Sequence, residues 1–333
     1  MDSFDWDPAE LLALSGGYWS TCALHAGVRL GLFPALAAQP RTVAELAEEK
    51  GIPERGLVML LDALTAMQLL EKNVERYVMT ASAACYLDPA SPKYLGHIIA
   101  HHHHLMSGWA RLDEAVMSGG PIRGRVSHDA DEEQRESFLL GMFDLAMLLA
   151  PRVAAAIDLS GRQQLLDLGG GPGTYAIHFC RRNPQLRATI FDLPTTRPFA
   201  EKTLARFDMK SRIDFVPGDF TADPIPAGCD VAWLSHVLHG EGRRGCARLL
   251  QKTAAALEPG GLLLVQEFIL QADRTGPLFP ALFSLNMLLG TPEGQAYSEP
   301  ELTELLNEAG FMRVERLPLE LPNGVGILAA VKP

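Results

Sequence analysis

The chain of 333 residues is poor in cysteine. Its five thiols, Cys22, Cys85, Cys180, Cys229 and Cys246, are scattered and never spaced as C-x-x-C. That pattern excludes a disulfide framework and a cysteine-based zinc site, and fits reduced thiols. Positive charge is also scarce, with 29 Lys and Arg against 40 Asp and Glu and a formal net charge of -11. Nonspecific nucleic-acid binding needs cations to neutralise phosphates, so nucleic acid is not an expected partner. A membrane is not expected either, because the most apolar region, Phe138 to Leu159, is broken by Asp144, Pro151 and Arg152 and reads as core helices. The stretch Met1-Asp2-Ser3-Phe4-Asp5-Trp6-Asp7 lacks a basic region leading into an apolar one. No signal peptide is expected there, and the expected location is cytoplasmic.

What the chain does have is Leu165-Leu166-Asp167-Leu168-Gly169-Gly170-Gly171-Pro172-Gly173, followed by Thr174-Tyr175-Ala176-Ile177. This reads as a buried strand, a tight glycine loop and a helix N-terminus, the usual seat of a nucleotide-like cofactor in an open α/β sheet. The spacing disfavours a dinucleotide. G-x-G-x-x-G starting at Gly169 needs a third glycine where Thr174 stands, and no Gly-Lys-Ser/Thr follows to make a phosphate loop.

The length and a hydrophobic content of 47% suit two globular domains. Residues Glu10 to Leu87 read as short helices. Thr42 is an N-cap candidate with a capping-box Glu45, Gly51-Ile52-Pro53 breaks that helix, and Leu57, Leu60, Leu61 and Leu64 recur at helical spacing. Leu69-Leu70-Glu71 and Arg76 to Met79 then flank a polar turn, so the order is helix, turn, helix, wing. Residues 1–100 hold 12 acids against 7 Lys and Arg, and the second helix has no basic face. Dimerisation is therefore the better reading than DNA binding. The run His101-His102-His103-His104 lies in a helical region, where adjacent residues point about 100° apart and cannot all face one metal. No metal site is expected.

From Gln163 onward strand and helix patterns alternate, as in a doubly wound sheet. The expected strands are Gln164–Leu168, Arg187–Asp192, Ile213–Val216, Asp230–Ser235 and, after a Pro259-Gly260-Gly261 turn, Gly261–Val265. Two more, Arg313–Leu319 and Val325–Val331, are joined by Pro322-Asn323-Gly324, a hairpin signal. Asp192 closes the second strand, where a carboxylate can accept from ribose hydroxyls or cap the turn before Pro194. Asp219, after the third strand, can accept from an adenine amino group or hold a turn, and Phe220 can stack on the ring.

Asp167 to Gly173, Phe191-Asp192-Leu193-Pro194, Gly218-Asp219-Phe220, His236-Val237-Leu238-His239, Pro259-Gly260-Gly261 and Val265-Gln266-Glu267 together resemble the small-molecule O-methyltransferase family, which includes plant phenolic, acetylserotonin and bacterial natural-product enzymes. The resemblance spans nearly the whole chain. It implies an α/β fold: a class I methyltransferase sheet with a C-terminal antiparallel hairpin, plus an N-terminal, mainly helical winged-helix dimerisation domain. The boundaries read as 1–90 for dimerisation, 91–160 for a helical linker and 161–333 for the catalytic domain. It further implies a homodimer and S-adenosylmethionine (SAM) as cofactor. Gly169 and Gly171 would hold its methionine end, Asp192 the ribose, and Asp219 and Phe220 the adenine; Asp167, Leu193, Gly218 and Ser235 complete the set.

His239 matches the family's general base and Glu267 the carboxylate beside it, with His236 as a reserve base. A phenol with a pKa near ~10 is a poor nucleophile at neutral pH until a base takes its proton. The chain departs from the family in His239-Gly240-Glu241, where His-Asp-Trp is common, and in Ser235, where plant relatives carry Lys. A second supporting carboxylate aligns with Ala296, with Glu293 and Glu299 nearby. An aromatic acceptor is expected to lie among Trp109, Phe138, Met142, Phe143, Phe283, Asn286 and Met287, since methionine and aromatic side chains suit a flat apolar ligand. Transfer to carbon or nitrogen, a SAM-binding protein without methyl transfer, and a metabolite-sensing regulator are the competing readings.

Overall fold

The computed structural model describes residues 6–129 and 131–333, and the chain divides into two units at His104/Leu105. Residues Met1 to Asp5, part of the stretch read for a signal peptide, lie outside the described residues. In the first unit, α1 (Pro8–Gly16), α2 (Tyr18–Arg29) and α3 (Leu32–Ala38) precede strand β1 (Arg41–Thr42). Then come α4 (Val43–Lys50), α5 (Glu54–Ala66), β2 (Leu70–Asn73), β3 (Arg76–Met79) and α6 (Ala81–Leu87), followed by α7 (Gly96–Trp109), whose last residues, from Leu105, belong to the second unit.

Thr42 starts α4 with a reciprocal capping box to Glu45, satisfying two amides that the first turn leaves without partners. Gly51 ends α4 at φ +64°, a left-handed position that glycine takes without a Cβ clash. Leu57, Leu61 and Leu64 of α5 are buried together with Leu32, Phe33, Leu46 and Tyr77. The strands pair antiparallel in the order β1-β3-β2. In the histidine run, His103 meets His25 edge-on at 5.5 Å, and burial, then the neighbouring His103 and His102, lower the pKa of His25.

The second unit begins with α8 (Leu112–Ser118), α9 (Val126–Asp129) and α10 (Glu132–Ala156). α10 is long and apolar enough to cross a membrane, but Ala150, Val153 and Ala154 pack into a core with Tyr175 and Phe179. The alternating part runs β4 (Gln164–Leu168), α11 (Thr174–Arg182), β5 (Arg187–Asp192), α12 (Arg197–Arg206), β6 (Ile213–Pro217), β7 (Cys229–Ser235), α13 (Arg243–Ala256) and β8 (Leu257–Leu270). It closes with α14 (Leu278–Gly290), β9 (Tyr297–Ser298), α15 (Glu299–Glu308), β10 (Met312–Arg316) and β11 (Val325–Val331).

The strand order is β10-β11-β8-β7-β4-β5-β6, with β9 paired to β8. β4 through β8 are mutually parallel, and β10 and β11 add the antiparallel edge. After β6 the chain crosses back to lay β7 on the other side of β4. The sheet's switch point is therefore the carboxyl end of β4 and β7, where α/β sheets open a ligand crevice.

Two local expectations are corrected. Pro259-Gly260-Gly261 does not precede the fifth strand but lies inside β8, because Gly260 N–H donates to Lys332 O and Lys332 N–H to Gly261 O, continuing the pairing past the turn. The last two strands pair antiparallel, yet a longer loop joins them. Asn323 (φ +58°) and Gly324 (φ +69°) take the left-handed conformations their residue types favour, but within a short 3-10 turn rather than a two-residue hairpin.

Candidate active site

The glycine loop links β4 to α11 with Gly169, Gly171 and Gly173 all at positive φ. A Cβ at Gly169 would stand 2.9 Å from Val237, whereas one at Gly171 would meet nothing within 4 Å. The first glycine lets the loop nest against the segment after β7. The second turns bare backbone toward open space, which is the form of a ligand cradle.

Asp167 is buried beneath Gly170, and its Oδ2 has no hydrogen-bond partner. Burial pushes this carboxyl up to about 7; an Ala176 N–H works against that and the Asp192 charge adds to it. Asp192 accepts from Gly171 N at 2.7 Å, from Leu193 N at 2.6 Å and from Thr196 Oγ1 at 3.1 Å. Burial raises its pKa against those three bonds. A carboxylate has about four lone-pair sites, so Asp192 ties β5 to the glycine loop and keeps capacity for one more donor.

Gly218 N–H donates to Asp192 O, fixing the loop after β6 beside β5. Asp219 Oδ1 accepts from Thr221 N and Oγ1 at 2.8 and 2.6 Å, an Asx turn. Oδ2 stands 3.9 Å from His128 Nε2. Burial acts to raise Asp219, but the Thr221 bonds and the charges of His128 and Arg125 outweigh it and lower its pKa. Phe220 comes within 3.5 Å of the position a Gly169 Cβ would take, so its ring borders the same crevice. Ser235, the residue after the β4-paired Leu234, is engaged in a polar cluster in which Gln266 Nε2 lies 3.0 Å from Ser235 Oγ and 2.8 Å from Tyr175 Oη.

His239 sits on a 3-10 turn, Leu238–Gly240, just past β7. Its Nδ1 lies 2.8 Å from Glu267 Oε2, and its backbone N–H donates to Glu267 Oε1 at 3.2 Å. Glu267, on β8, is 1% exposed. Burial would raise its carboxyl, but the adjacent His239 and His236 imidazoles outweigh it and hold the pKa far below the usual carboxylate range. An ionised carboxylate only accepts, so Nδ1 carries the proton and Nε2 is left as the basic nitrogen.

His236 stands at φ +56°, with Nδ1 3.7 Å from Glu267 Oε2 and its ring 4.3 Å from that of Phe268. The ligand atoms of His236, His239 and Glu267 lie within 4.8 Å of one another, a grouping that the sequence reading, with no metal expected, did not single out. Their closest approach is already explained by the His239–Glu267 hydrogen bond. The aligned second carboxylate is Ala296, fully buried and without a charge to offer. Glu293 lies against Gly242 and Glu299 pairs with Arg316 at 3.0 Å.

Phe283 of α14 meets the His239 ring edge-on at 4.7 Å, and Asn286 and Met287 follow at i+3 and i+4 on the same helix face. Phe268 and Phe279 extend this aromatic wall, at 4.6 and 6.2 Å from Phe283. Neither stood out in the sequence; Phe268's place beside Glu267 was the available signal. Trp109, Phe138 and Met142 are partly buried on α7 and α10. Phe143 is corrected. Its ring lies 6.2 Å from Phe207, with the Arg206 guanidinium 5.6 Å above it, so it packs against the end of α12 and not beside His239.

The structure adds residues 123–128, which sequence reasoning missed. Arg125 pairs with Glu241 at 2.8 Å, His128 faces Asp219, and Arg123 reaches Asn286. One segment thus touches the turn of the basic histidine, the loop after β6 and α14.

Comparison with known proteins gives a consistent result. Residues 111–312 match the model of an O-methyltransferase domain, and residues 12–89 that of an O-methyltransferase dimerisation domain. The 3-hydroxy-5-methyl-1-naphthoate 3-O-methyltransferase of Streptomyces sahachiroi is 38% identical over 98% of this chain and 95% of its own. The tetracenomycin polyketide synthesis 8-O-methyl transferase TcmO of Streptomyces glaucescens is 35% identical over 96% of each. Human N-acetylserotonin methyltransferase in complex with SAM superposes with a TM-score of 0.87 at 29% identity, covering 100% of this chain and 99% of that one.

Proposed function

Since the chain belongs to the O-methyltransferase family and is a SAM-dependent O-methyltransferase, we propose that it methylates a phenolic hydroxyl of a fused aromatic, polyketide-like acceptor, with His239 as general base. The observation that carries this reading is the 2.8 Å contact between His239 Nδ1 and Glu267 Oε2, which leaves Nε2 free to take a proton beside the Phe283 ring.

The residues present fit the cofactor. Gly171 offers open backbone, Asp167 holds a buried oxygen without a partner, and Asp192 retains acceptor capacity. In this proposal Asp167, Gly169 and Gly171 hold the amino-acid end and Asp192 and Leu193 the ribose. Gly218, Asp219 and Phe220 border the adenine, Asp219 through Oδ2 because Oδ1 is committed to its turn. Ser235 contributes through its cluster with Gln266 and Tyr175. When bound, the cofactor supplies an electrophilic methyl on a sulfonium.

The chain's own contribution is alignment and proton removal. Val237, two residues before His239, lies against Gly169, so the base and the glycine loop are neighbours. His239 Nε2 accepts the phenol proton while Glu267 stabilises the resulting imidazolium. Holding the phenolate oxygen in line between this base and the crevice supplies much of the acceleration. Phe283, Asn286, Met287, Trp109, Phe138 and Met142 are the proposed acceptor contacts. We further propose a homodimer built through the first unit, whose helices leave Leu12 and Trp19 each 71% exposed, with Leu11, Leu14 and Tyr18 also exposed.

The test is incubation with labelled SAM and a panel of phenols and naphthols, comparing wild type with His239→Ala. Transfer by the wild type and its loss in a variant that still binds SAM is the expected result. Wild type that binds SAM yet labels no acceptor, or an unimpaired variant, sinks the proposal.

A further inference from the structure

The residue that the proposed chemistry leaves unused is Arg123. Its Nη2 donates to Asn286 Oδ1 at 3.2 Å and to Asn286 O at 3.3 Å, and its Nη1 to Gly124 O at 3.4 Å. These are long bonds to neutral groups. Its Nε is buried without any partner, and no carboxylate lies within ion-pair distance of it among the described residues. Burial lowers its pKa below the ordinary arginine range, the direction expected when a cation loses water and gains no counter-charge. A cation in that state is destabilising until an anion arrives.

The guanidinium has a defined place. A Cβ on Gly290 would fall 2.5 Å from Nη1, so the group lies flat on α14 at that glycine. A Cβ on Gly108 would fall 3.3 Å from Arg123 Cδ, so the aliphatic stem runs along α7. Phe283, Asn286, Met287 and Gly290 occupy i, i+3, i+4 and i+7 of α14, one face of the helix. Phe283 marks the end of that face that touches His239, and Arg123 marks the other. At 1.5 Å rise per residue the two ends are separated by roughly 5–10 Å.

We propose that Arg123 is the specificity-determining residue for an anionic acceptor: it binds a carboxylate carried by the aromatic ring system whose hydroxyl faces His239. The inference rests on the reading of α14 as the acceptor wall. A guanidinium presents paired N–H groups that match a carboxylate in the plane, and Nε with one Nη makes the natural fork. The substrate class is thereby narrowed from phenols in general to hydroxyaryl carboxylic acids with the acid roughly 5–10 Å from the methylated oxygen.

The test uses the full-length protein loaded with S-adenosylhomocysteine and titrates three ligands by calorimetry: a hydroxynaphthoate, its methyl ester and the naphthol lacking the carboxyl group. Wild type is expected to bind the acid about 10- to 100-fold tighter than either neutral ligand. Arg123→Met is expected to erase that preference and leave ester and naphthol affinities unchanged, with Arg123→Lys recovering part of it. Unchanged S-adenosylhomocysteine affinity checks that each variant is folded. Wild type without preference for the acid, or a variant that weakens all three ligands alike, overturns the proposal; the second result would make Arg123 a tether between the segment and α14. Binding is measured without turnover, so failure of the base assignment shows separately, as tight acid binding without methyl transfer.

Discussion

Glu267 lies on β8 and His239 on the turn just past β7, the neighbouring strand in the sheet, and Glu267 grips the histidine twice, at Nδ1 and at the backbone N–H. The two contacts set both the tautomer and the height of the ring above the sheet edge. Glu267→Gln keeps a side chain of the same shape but removes the charge that stabilises the imidazolium in the proposed mechanism. Its kcat is expected to fall about 10²- to 10⁴-fold with SAM affinity within twofold of wild type. Steady-state kinetics beside equilibrium binding of SAM check it; a kcat within threefold of wild type refutes the role of Glu267.

The buried Asp167 makes stability depend on pH. Its folded pKa of about 7 stands above the ordinary value of 3.8. The stability linked to its proton is therefore fully present below the ordinary value and lost as pH rises through about 7. Asp167→Asn cannot ionise, so relative to wild type it gains stability between about pH 4 and pH 7, by up to about 4 kcal/mol. The same variant should bind SAM more weakly, having lost an acceptor for the amino-acid end. Chemical denaturation of both proteins across that range is the measurement, and a stability difference that stays flat with pH contradicts the assignment.

Gly171 faces open space at φ +55°. Gly171→Val puts a side chain into the proposed cradle and adds about 1–2 kcal/mol of left-handed backbone strain. SAM affinity is expected to drop at least tenfold, with a small fall in melting temperature. Titration calorimetry decides it, since undiminished SAM binding would show that the loop does not touch the cofactor.

On the other side of the proposed base, Phe283→Ala opens the wall proposed to hold the acceptor. The acceptor KM should rise about tenfold or more while SAM affinity is unchanged, because about 1.5–3 kcal/mol of apolar contact is removed from one ligand only. A parallel loss for both ligands would mean that Phe283 supports the fold of the site and does not line it.

Much of the fold was legible because its signals are local. The glycine loop, the acids closing β5 and following β6, the capping box at Thr42 and the alternating strands each depend on residues close in the chain. The errors came where local signals compete with distant ones. Pro259-Gly260-Gly261 reads as a turn until the C-terminal strand pairs alongside it. Phe143 reads as a pocket residue because helical periodicity gives spacing but not which of several neighbours the face meets; α12 supplied Phe207 as its partner.

The sequence by itself determined the class of the cofactor cradle and the order of its elements, since the spacing from Asp167 to Gly173 dictates what backbone the loop can present. It also placed a histidine and a carboxylate at the ends of two strands. Only the tertiary structure decided what stands around that histidine. Phe268, Phe283 and His236 gather on it from three elements, and residues 123–128 lay Arg123 on α14, 163 residues away from Asn286 in the chain. A contact of that separation leaves no mark in local spacing, because it is set by how packed layers meet, and a guanidinium without a counter-charge becomes visible only once they have met.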